Sequence, residues 1–272
     1  MNVAKETGDT YSLLWDRSAS SVPARWHFDA MQEVIPDPIV RGNLGIEVGS
    51  GCGYDTCIMA RNNPSVRLVS MDISDGVYKT GRLVAGLGNV LVMKCSALCI
   101  AAKDSTLDFA YSFGVLHHTA DPEKGLCEIA RVLKKGSPAF VYLYEDHSEN
   151  PLKYLAIKAI SAVRGLTTRM PDKLLYVLSW IASPVVFAFF TIPSKIMRNF
   201  KITKPIAAAM PFNFGTGPFS LRGDLYDRFG APVERRFSRK GIYKLFETCG
   251  FSDVNVTRLK DTAGWVAWGH KV

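Results

Sequence analysis

The chain has no Cys-x-x-Cys pair and one long stretch almost without acid; each shortage excludes something. The six cysteines, Cys52, Cys57, Cys95, Cys99, Cys127 and Cys249, are scattered, with no Cys-x-x-Cys pair of the kind that binds zinc or runs dithiol chemistry. We therefore expect no metal site, and reduced thiols rather than disulfides. There is no early signal-peptide pattern, which makes the cytoplasm the expected compartment. The dinucleotide fingerprint Gly-x-Gly-x-x-Gly is missing and no hydride-chemistry motif stands elsewhere, which disfavours a nicotinamide oxidoreductase. From Leu174 to Ser194 there is no charged residue over 21 positions.

At 272 residues, 47% hydrophobic and 21% charged, the composition is globular, suited to one large domain or a domain with an insertion. The formal net charge of +8 is localised. Between Pro151 and Pro205 stand nine basic residues (Lys153, Lys158, Arg164, Arg169, Lys173, Lys195, Arg198, Lys201 and Lys204) against the single acid Asp172, so this stretch carries the whole excess. Basic residues flanking an apolar run point to an anionic membrane surface rather than to nucleic acid.

The organising stretch is Gly45 to Asp55, Gly-Ile-Glu-Val-Gly-Ser-Gly-Cys-Gly-Tyr-Asp. A β-prone run feeds three glycines spaced two apart, Gly49, Gly51 and Gly53, and then a helix-compatible segment from Tyr54 to Arg61. Glycine tolerates positive φ and lets a ligand touch backbone, so this turn makes a floor for a nucleotide-like molecule beside a helix N-terminus. The acid before the first glycine, Glu47, suits a cationic ligand better than a pyrophosphate. About twenty residues on, the strand Val66–Met71 ends in Asp72, where a carboxylate can accept both hydroxyls of a ribose; the competing role for Asp72 is an N-cap.

Further strands are expected at Val90–Lys94, Thr106–Phe113 and Pro138–Tyr144, with a helix at Glu123–Lys134 started by Asp121 and Pro122. Ser238 caps a helix to about Thr248, and Val254–Leu259 and Gly264–Trp268 close the chain as a hairpin. The pattern Glu47-x-Gly49-x-Gly51-x-Gly53, with the Asp-Phe strand, Val115-Leu116-His117-His118 and Asp121-Pro122, resembles the class I S-adenosylmethionine (SAM) methyltransferases of the small-molecule "type 11" group. The resemblance covers about 1–145 and 238–272. It implies a doubly wound, Rossmann-like seven-stranded α/β sheet with an antiparallel last strand, and an aromatic leading segment (Tyr11, Trp15, Trp26, Phe28) acting as a lid. SAM is the implied cofactor, held by Glu47, Gly49, Ser50, Gly51, Gly53, Asp72, Ile73, Ser96, Ala97 and Gly114. Ser96 stands where such enzymes usually place an acid for the adenine amino group. Enzymes that methylate nucleic-acid amino groups would carry an Asn/Asp-Pro-Pro-aromatic run after the fourth strand, where Ser112-Phe113-Gly114-Val115 stands.

Methyl transfer to a hydroxyl needs a base, and a histidine titrates near neutrality. His118 is the preferred candidate, with His117 beside it and His147 second. The expected reaction is O-methylation of a small or lipid-linked acceptor, a sugar or natural product. Leu225–Arg236 resembles a segment of bacterial methyltransferases from surface-polysaccharide and natural-product gene neighbourhoods. A carbon methyltransferase on a quinone-like lipid and a non-catalytic SAM-binding protein are the alternatives.

Residues 146–237 read as a helical insertion between the 1–145 core and the closing 238–272 segment. By length, Leu174–Ser194 could span a membrane. A single crossing would separate the last strands from the five they must join, and Pro184 is expected to break a straight helix. Two readings stay open: a helical pair on the cytoplasmic membrane face, through 151–205, or a soluble cap over the active site.

Overall fold

The computed structural model describes residues 3–19, 21–259 and 264–272. Two compact units divide it, Met1–Ile157 with Pro232–Val272, and Lys158–Ala231. The first unit opens with α1 (Val3–Asp16) and α2 (His27–Gln32) and then alternates: β1 (Leu44–Val48), α3 (Tyr54–Asn62), β2 (Arg67–Asp72), α4 (Gly76–Val84), β3 (Val90–Lys94), β4 (Phe109–Phe113), α5 (Pro122–Val132) and β5 (Pro138–Tyr144). Helix α6 (Pro151–Thr167) leads into the second unit, which holds α7 (Asp172–Val186), α8 (Ile192–Met197), α9 (Lys204–Ala209) and α10 (Arg222–Gly230). The first unit resumes with α11 (Arg239–Thr248), β6 (Phe251–Arg258) and β7 (Gly264–Lys271). The turn expected between the last two strands, 260–263, lies outside the described residues.

The strands form one seven-stranded sheet in the order β3-β2-β1-β4-β5-β7-β6. Neighbours among β1 to β5 are parallel, and β7 runs antiparallel to both β5 and β6. The doubly wound sheet with its antiparallel last strand is therefore present. The chain steps outward from β1 through β2 to β3, then crosses to the other side of β1 to lay down β4. That reversal opens a crevice at the carboxyl ends of β1 and β4.

Both faces of the central strands β1, β4 and β5 are buried, which explains their nearly unbroken apolar runs, while the edge strands β3 and β6 are partly exposed. Along β5, Ala139, Val141 and Leu143 join one core cluster while Phe140 and Tyr142 join the other. Helix α5 starts as its sequence requires: the Lys124 amide donates to Asp121 Oδ1 at 3.0 Å, and Pro122 occupies the first turn. It stops at Val132, short of the expected Lys134, because Leu133 turns extended and the Lys134 amide donates instead to the Leu107 carbonyl at 2.9 Å. β4 begins only at Phe109, since the Asp108 carboxylate accepts the Asn43 and Leu44 amides, at 2.8 and 2.9 Å, and holds the strand entrance. β6 starts at Phe251, directly after Gly250 at φ 76°.

The expectation of reduced thiols throughout is corrected at two positions. Cys127 on α5 and Cys249, which caps the end of α11, form a disulfide across a sequence separation of 122 residues. Packing of α11 beside α5 brings them together, an effect that cysteine spacing cannot reveal. Cys52, Cys57, Cys95 and Cys99 are free.

In the second unit, α7 and α8 make one continuous helix, Asp172–Met197, of 26 residues. The expected break at Pro184 does not occur. A π-helical turn, Phe187–Thr191, follows the proline, and the helix runs on through it into α8. Pro184 removes one intrahelical hydrogen bond, and bonding resumes beyond it, where the Phe187 amide donates to the Ser183 carbonyl. Tyr226 of α10 donates to Asp172 Oδ1 at 3.0 Å. The buried Arg164 guanidinium closes the carboxyl end of α10, donating to the Arg228 and Ala231 carbonyls, the latter at 2.8 Å. A cation there satisfies orphan carbonyls and complements the helix dipole.

Candidate functional site

Past Val48 the chain turns through Gly49, Ser50, Gly51, Cys52 and Gly53 into α3. The three glycines have φ of 89°, 54° and 85°. A Cβ on Gly49 would lie 2.0 Å from Val115 Cγ2, and one on Gly51 would lie 2.8 Å from the Trp15 indole. Positive φ and missing space together restrict these positions to glycine. The Gly49 and Ser50 amides both donate to the Met71 carbonyl, at 2.7 and 2.9 Å, which ties the turn to the end of β2.

Asp72 closes β2 with its side chain buried. Its Oδ2 accepts the Gly51 amide at 2.8 Å; its Oδ1 accepts the Ser74 amide at 2.8 Å and the Ser74 hydroxyl at 2.6 Å. The N-cap role does not apply, because the residue before α4 is Asp75. Each carboxylate oxygen has two lone-pair directions, so Asp72 can still accept from a ligand while it shapes the turn.

Glu47 lies beneath the turn rather than on a cavity wall. Its Oε2 accepts the Thr56 hydroxyl and, at 3.1 Å, the Ser70 hydroxyl. Burial, reinforced by nearby Asp55, raises its pKa to about 8, so it is mostly protonated at neutral pH. Glu47 therefore braces β1 against α3 and β2 as a hydrogen-bonding group, not as an anion facing a cation.

At the carboxyl ends of β1 and β4 lies a cleft of about 750 Å³ of empty space, open in part to solvent. Gly49, Gly51, Asp72, Ile73, Ser96, Ala97, Gly114 and His118 line it, with Leu98, Phe113 and Val115. Of the other residues expected there, Ser50 and Gly53 shape the turn from behind. Helix α1 supplies one wall through Val3, Thr7, Tyr11 and Trp15. Those four are spaced by four and form one helical stripe, a signal present in the sequence that the aromatic lid reading caught only at Tyr11 and Trp15. The helix is moored where β2 meets α4: the Asp75 amide donates to Ser12 Oγ at 2.8 Å, and Lys79 Nζ donates to the Ser18 carbonyl at 2.6 Å. Phe28, expected with the lid, is instead buried in the core.

The two adjacent histidines sit on a short 3₁₀ turn after β4, Leu116–His118, and they part company. His117 is wholly buried and stacked on Tyr144 with ring centroids 3.8 Å apart. Burial, and then the neighbouring His118 and Arg236, push its pKa well below the usual histidine value. His118 reaches the cavity. Its Nδ1 donates to the Val233 carbonyl at 2.7 Å, so in the neutral ring Nε2 is the acceptor nitrogen. His147, the other candidate base, stands at φ 55° past the end of β5, 3.6 Å from the Glu145 carboxylate, and is not among the residues lining the cleft.

Residues 46–141 match the sequence model of the methyltransferase domain family. This core is a class I methyltransferase domain. SAM is the cofactor of such a domain. The chain is 33% identical over 106 residues to the tRNA (carboxymethyluridine(34)-5-O)-methyltransferase of Saccharomyces cerevisiae, covering 38% of this chain and 36% of that protein. It is 26% identical over 181 residues to the ubiquinone/menaquinone biosynthesis C-methyltransferase UbiE of Geobacter sulfurreducens, covering 61% of this chain and 69% of that one. The chain spans only 36% and 35% of the length of two of the curated relatives it matches. Among solved structures, a candidate methyltransferase of Bacillus halodurans superposes with a TM-score of 0.53 at 11% identity, covering 90% of this chain and 98% of that one. A candidate O-methyltransferase of Nostoc punctiforme gives 0.51 at 16% identity, covering 89% and 56%. These superpositions show the fold.

The cleft of the methyltransferase domain fits SAM. Glycines leave its floor without side chains, the space at Gly114 is open, Asp72 offers a carboxylate, and Ile73, Ala97 and Leu98 give an apolar wall. Ser96 Oγ accepts the Leu98 amide at 3.2 Å, so this hydroxyl is already engaged locally. Replacing Asp72 by alanine should weaken SAM binding by about 1–3 kcal/mol, the cost of leaving charge-assisted hydrogen bonds unmade. Titration calorimetry of Asp72→Ala beside the parent protein checks this, and unchanged affinity would remove Asp72 from the site.

Proposed function

We propose that the protein is a SAM-dependent methyltransferase that transfers a methyl group to a hydroxyl of a small, amphipathic acceptor, a lipid-linked sugar or natural product, with His118 as general base. The observation that carries the reading is His118 on the cleft wall with its Nδ1–H held by the Val233 carbonyl, which makes Nε2 the nitrogen that can accept a proton. When bound, SAM supplies a methyl group already activated by its sulfonium toward in-line displacement. Asp72 Oδ2, with one acceptor direction left, would take one ribose hydroxyl, Gly49 and Gly51 would let the ligand approach backbone, and Ile73, Ala97 and Leu98 would flank the adenine. Helix α1, through Tyr11 and Trp15, would exclude water above it. His118 Nε2 would take the hydroxyl proton as the acceptor oxygen attacks, a contribution worth about 10²–10⁴-fold in rate.

A second reading is favoured by the match to the C-methyltransferase UbiE above. There His118 would remove the ring proton after the carbon–carbon bond forms. Mass spectrometry of lipid, glycan and small-molecule extracts, with and without the gene, tests both. We expect a species heavier by one methylene, restored by the parent gene and not by His118→Ala. Fragmentation that places the methyl on carbon decides for the second reading. SAM binding with no methylated product in any extract would reduce the protein to a SAM-binding module.

A further inference from the structure

The helix Asp172–Met197 is built inside out for a soluble protein. It has a mean hydropathy of 2.0 over its most apolar window, yet only 22% of that window is buried. Leu174, Val177, Ile181, Val185, Phe189 and Ile192 are all exposed, Phe189 to 71%, and they recur every three or four residues as one stripe along the helix. The residues that face into the unit include Ser179, Ser183, Thr191 and Ser194. Their hydroxyls are satisfied by backbone: Ser179 donates to the Leu175 carbonyl at 2.9 Å, Ser183 to Pro218 at 2.7 Å, Thr191 to Phe212 at 2.5 Å and Ser194 to Ala207 at 3.0 Å. A helix that caps a soluble site buries its aliphatic stripe and shows its hydroxyls to water. This one does the reverse.

Charge and topology then choose the occupant. The stripe carries no charge, while exposed Lys173 precedes it and exposed Lys195, Arg198, Lys201 and Lys204 follow it. A purely apolar protein partner gives no role to such a cationic fringe; an anionic bilayer accepts both, with aliphatic groups below the headgroups and cations among them. The helix does not cross the bilayer. β5 precedes the second unit and β7 follows it, yet the two pair in register from Pro138↔His270 to Tyr144↔Gly264. Both ends of the insertion thus return to one sheet, and no second helix of spanning length stands among the described residues. We propose that Asp172–Met197 lies in the surface of an anionic membrane, its Leu174-to-Ile192 stripe in the acyl boundary and its carboxyl-terminal cations on the headgroups. This surface rests on the second unit alone and not on the methyl-transfer reading.

The test is co-sedimentation of the full chain with vesicles of phosphatidylcholine alone and of phosphatidylcholine mixed with phosphatidylglycerol. Binding is expected to the mixed vesicles at low salt and to weaken as ionic strength rises from about 0.01 to 1 M, which shortens the screening length from about 30 to 3 Å. Lys195→Glu, Arg198→Glu and Lys201→Glu combined should lower partition at least about 100-fold, since each reversal removes one attraction and adds one repulsion. Ile181→Ser, Val185→Ser and Phe189→Ser combined should abolish binding at every salt concentration. SAM affinity should be unchanged in both variants, and a helical circular-dichroism signal and melting curve matching the parent show that the second unit is folded in them. No binding to the mixed vesicles at low salt overturns the proposal, as does equal binding to phosphatidylcholine alone. So does a parent dimer in sedimentation velocity that ignores vesicles and becomes monomeric in the serine variant, for then a second copy covers the stripe.

Discussion

Replacing His118 by alanine should lower kcat by about 10²–10⁴-fold and leave SAM affinity within a few-fold of the parent, as loss of a general base requires. The geometry makes the expectation specific. The Val233 carbonyl holds Nδ1–H, so the free lone pair is on Nε2, and Nε2 belongs to a ring that lines the cleft. Added imidazole should restore part of the lost rate in His118→Ala, which a merely structural loss would not allow. His117→Ala is the control. That ring is buried against Tyr144, away from the cleft lining, so its removal should lower thermal stability with a much smaller effect on kcat. Equal losses of turnover in the two variants, without imidazole rescue, would mean that the histidine pair shapes the loop and supplies no base.

Gly51→Val should reduce SAM affinity at least about 100-fold, a loss of roughly 2.7 kcal/mol. Two effects add. At φ 54° a β-branched residue is strained by about 1–2 kcal/mol, and its Cβ would stand 2.8 Å from the Trp15 ring, forcing α1 off the cleft it helps to wall. Gly136→Ala separates the two effects: at φ 79°, outside the cleft lining and with nothing within 4 Å of the added carbon, it should show only backbone strain, as a loss of thermal stability with SAM affinity unchanged. Calorimetry on the three proteins checks the ranking; a Gly51→Val protein that binds SAM normally would show that the turn does not contact the cofactor.

The alternation of apolar strands with amphipathic helices marked an α/β chain in the sequence, and the resemblance carried by the glycine turn and the Val115–His118 run implied the doubly wound order. Val90 to Lys94 and Pro138 to Tyr144 are short β-prone runs; β5 is buried on both faces, whereas β3, at the sheet edge, leaves Leu91 60% exposed. The glycine turn and Asp72 were legible for the same reason: only backbone chemistry places three glycines two apart after a strand, with an acid one strand later. These are local constraints, and local constraints are written in consecutive residues.

Tertiary structure decided what depends on neighbours distant in the chain. Glu47 is an acid in the sequence, and burial beside Thr56, Ser70 and Asp55 turns it into a largely protonated brace. His117 and His118 are chemically alike until a 3₁₀ turn sends one ring against Tyr144 and the other to Val233, 115 residues away. Cys127 and Cys249 become partners only because α5 and α11 pack side by side. Helical periodicity in Leu174–Ser194 is equally compatible with burying the aliphatic stripe or exposing it. The second unit settles the matter by offering its carbonyl groups at Pro218, Phe212 and Ala207 to the hydroxyl side, so the serines and threonine turn inward and the aliphatic side is left outside.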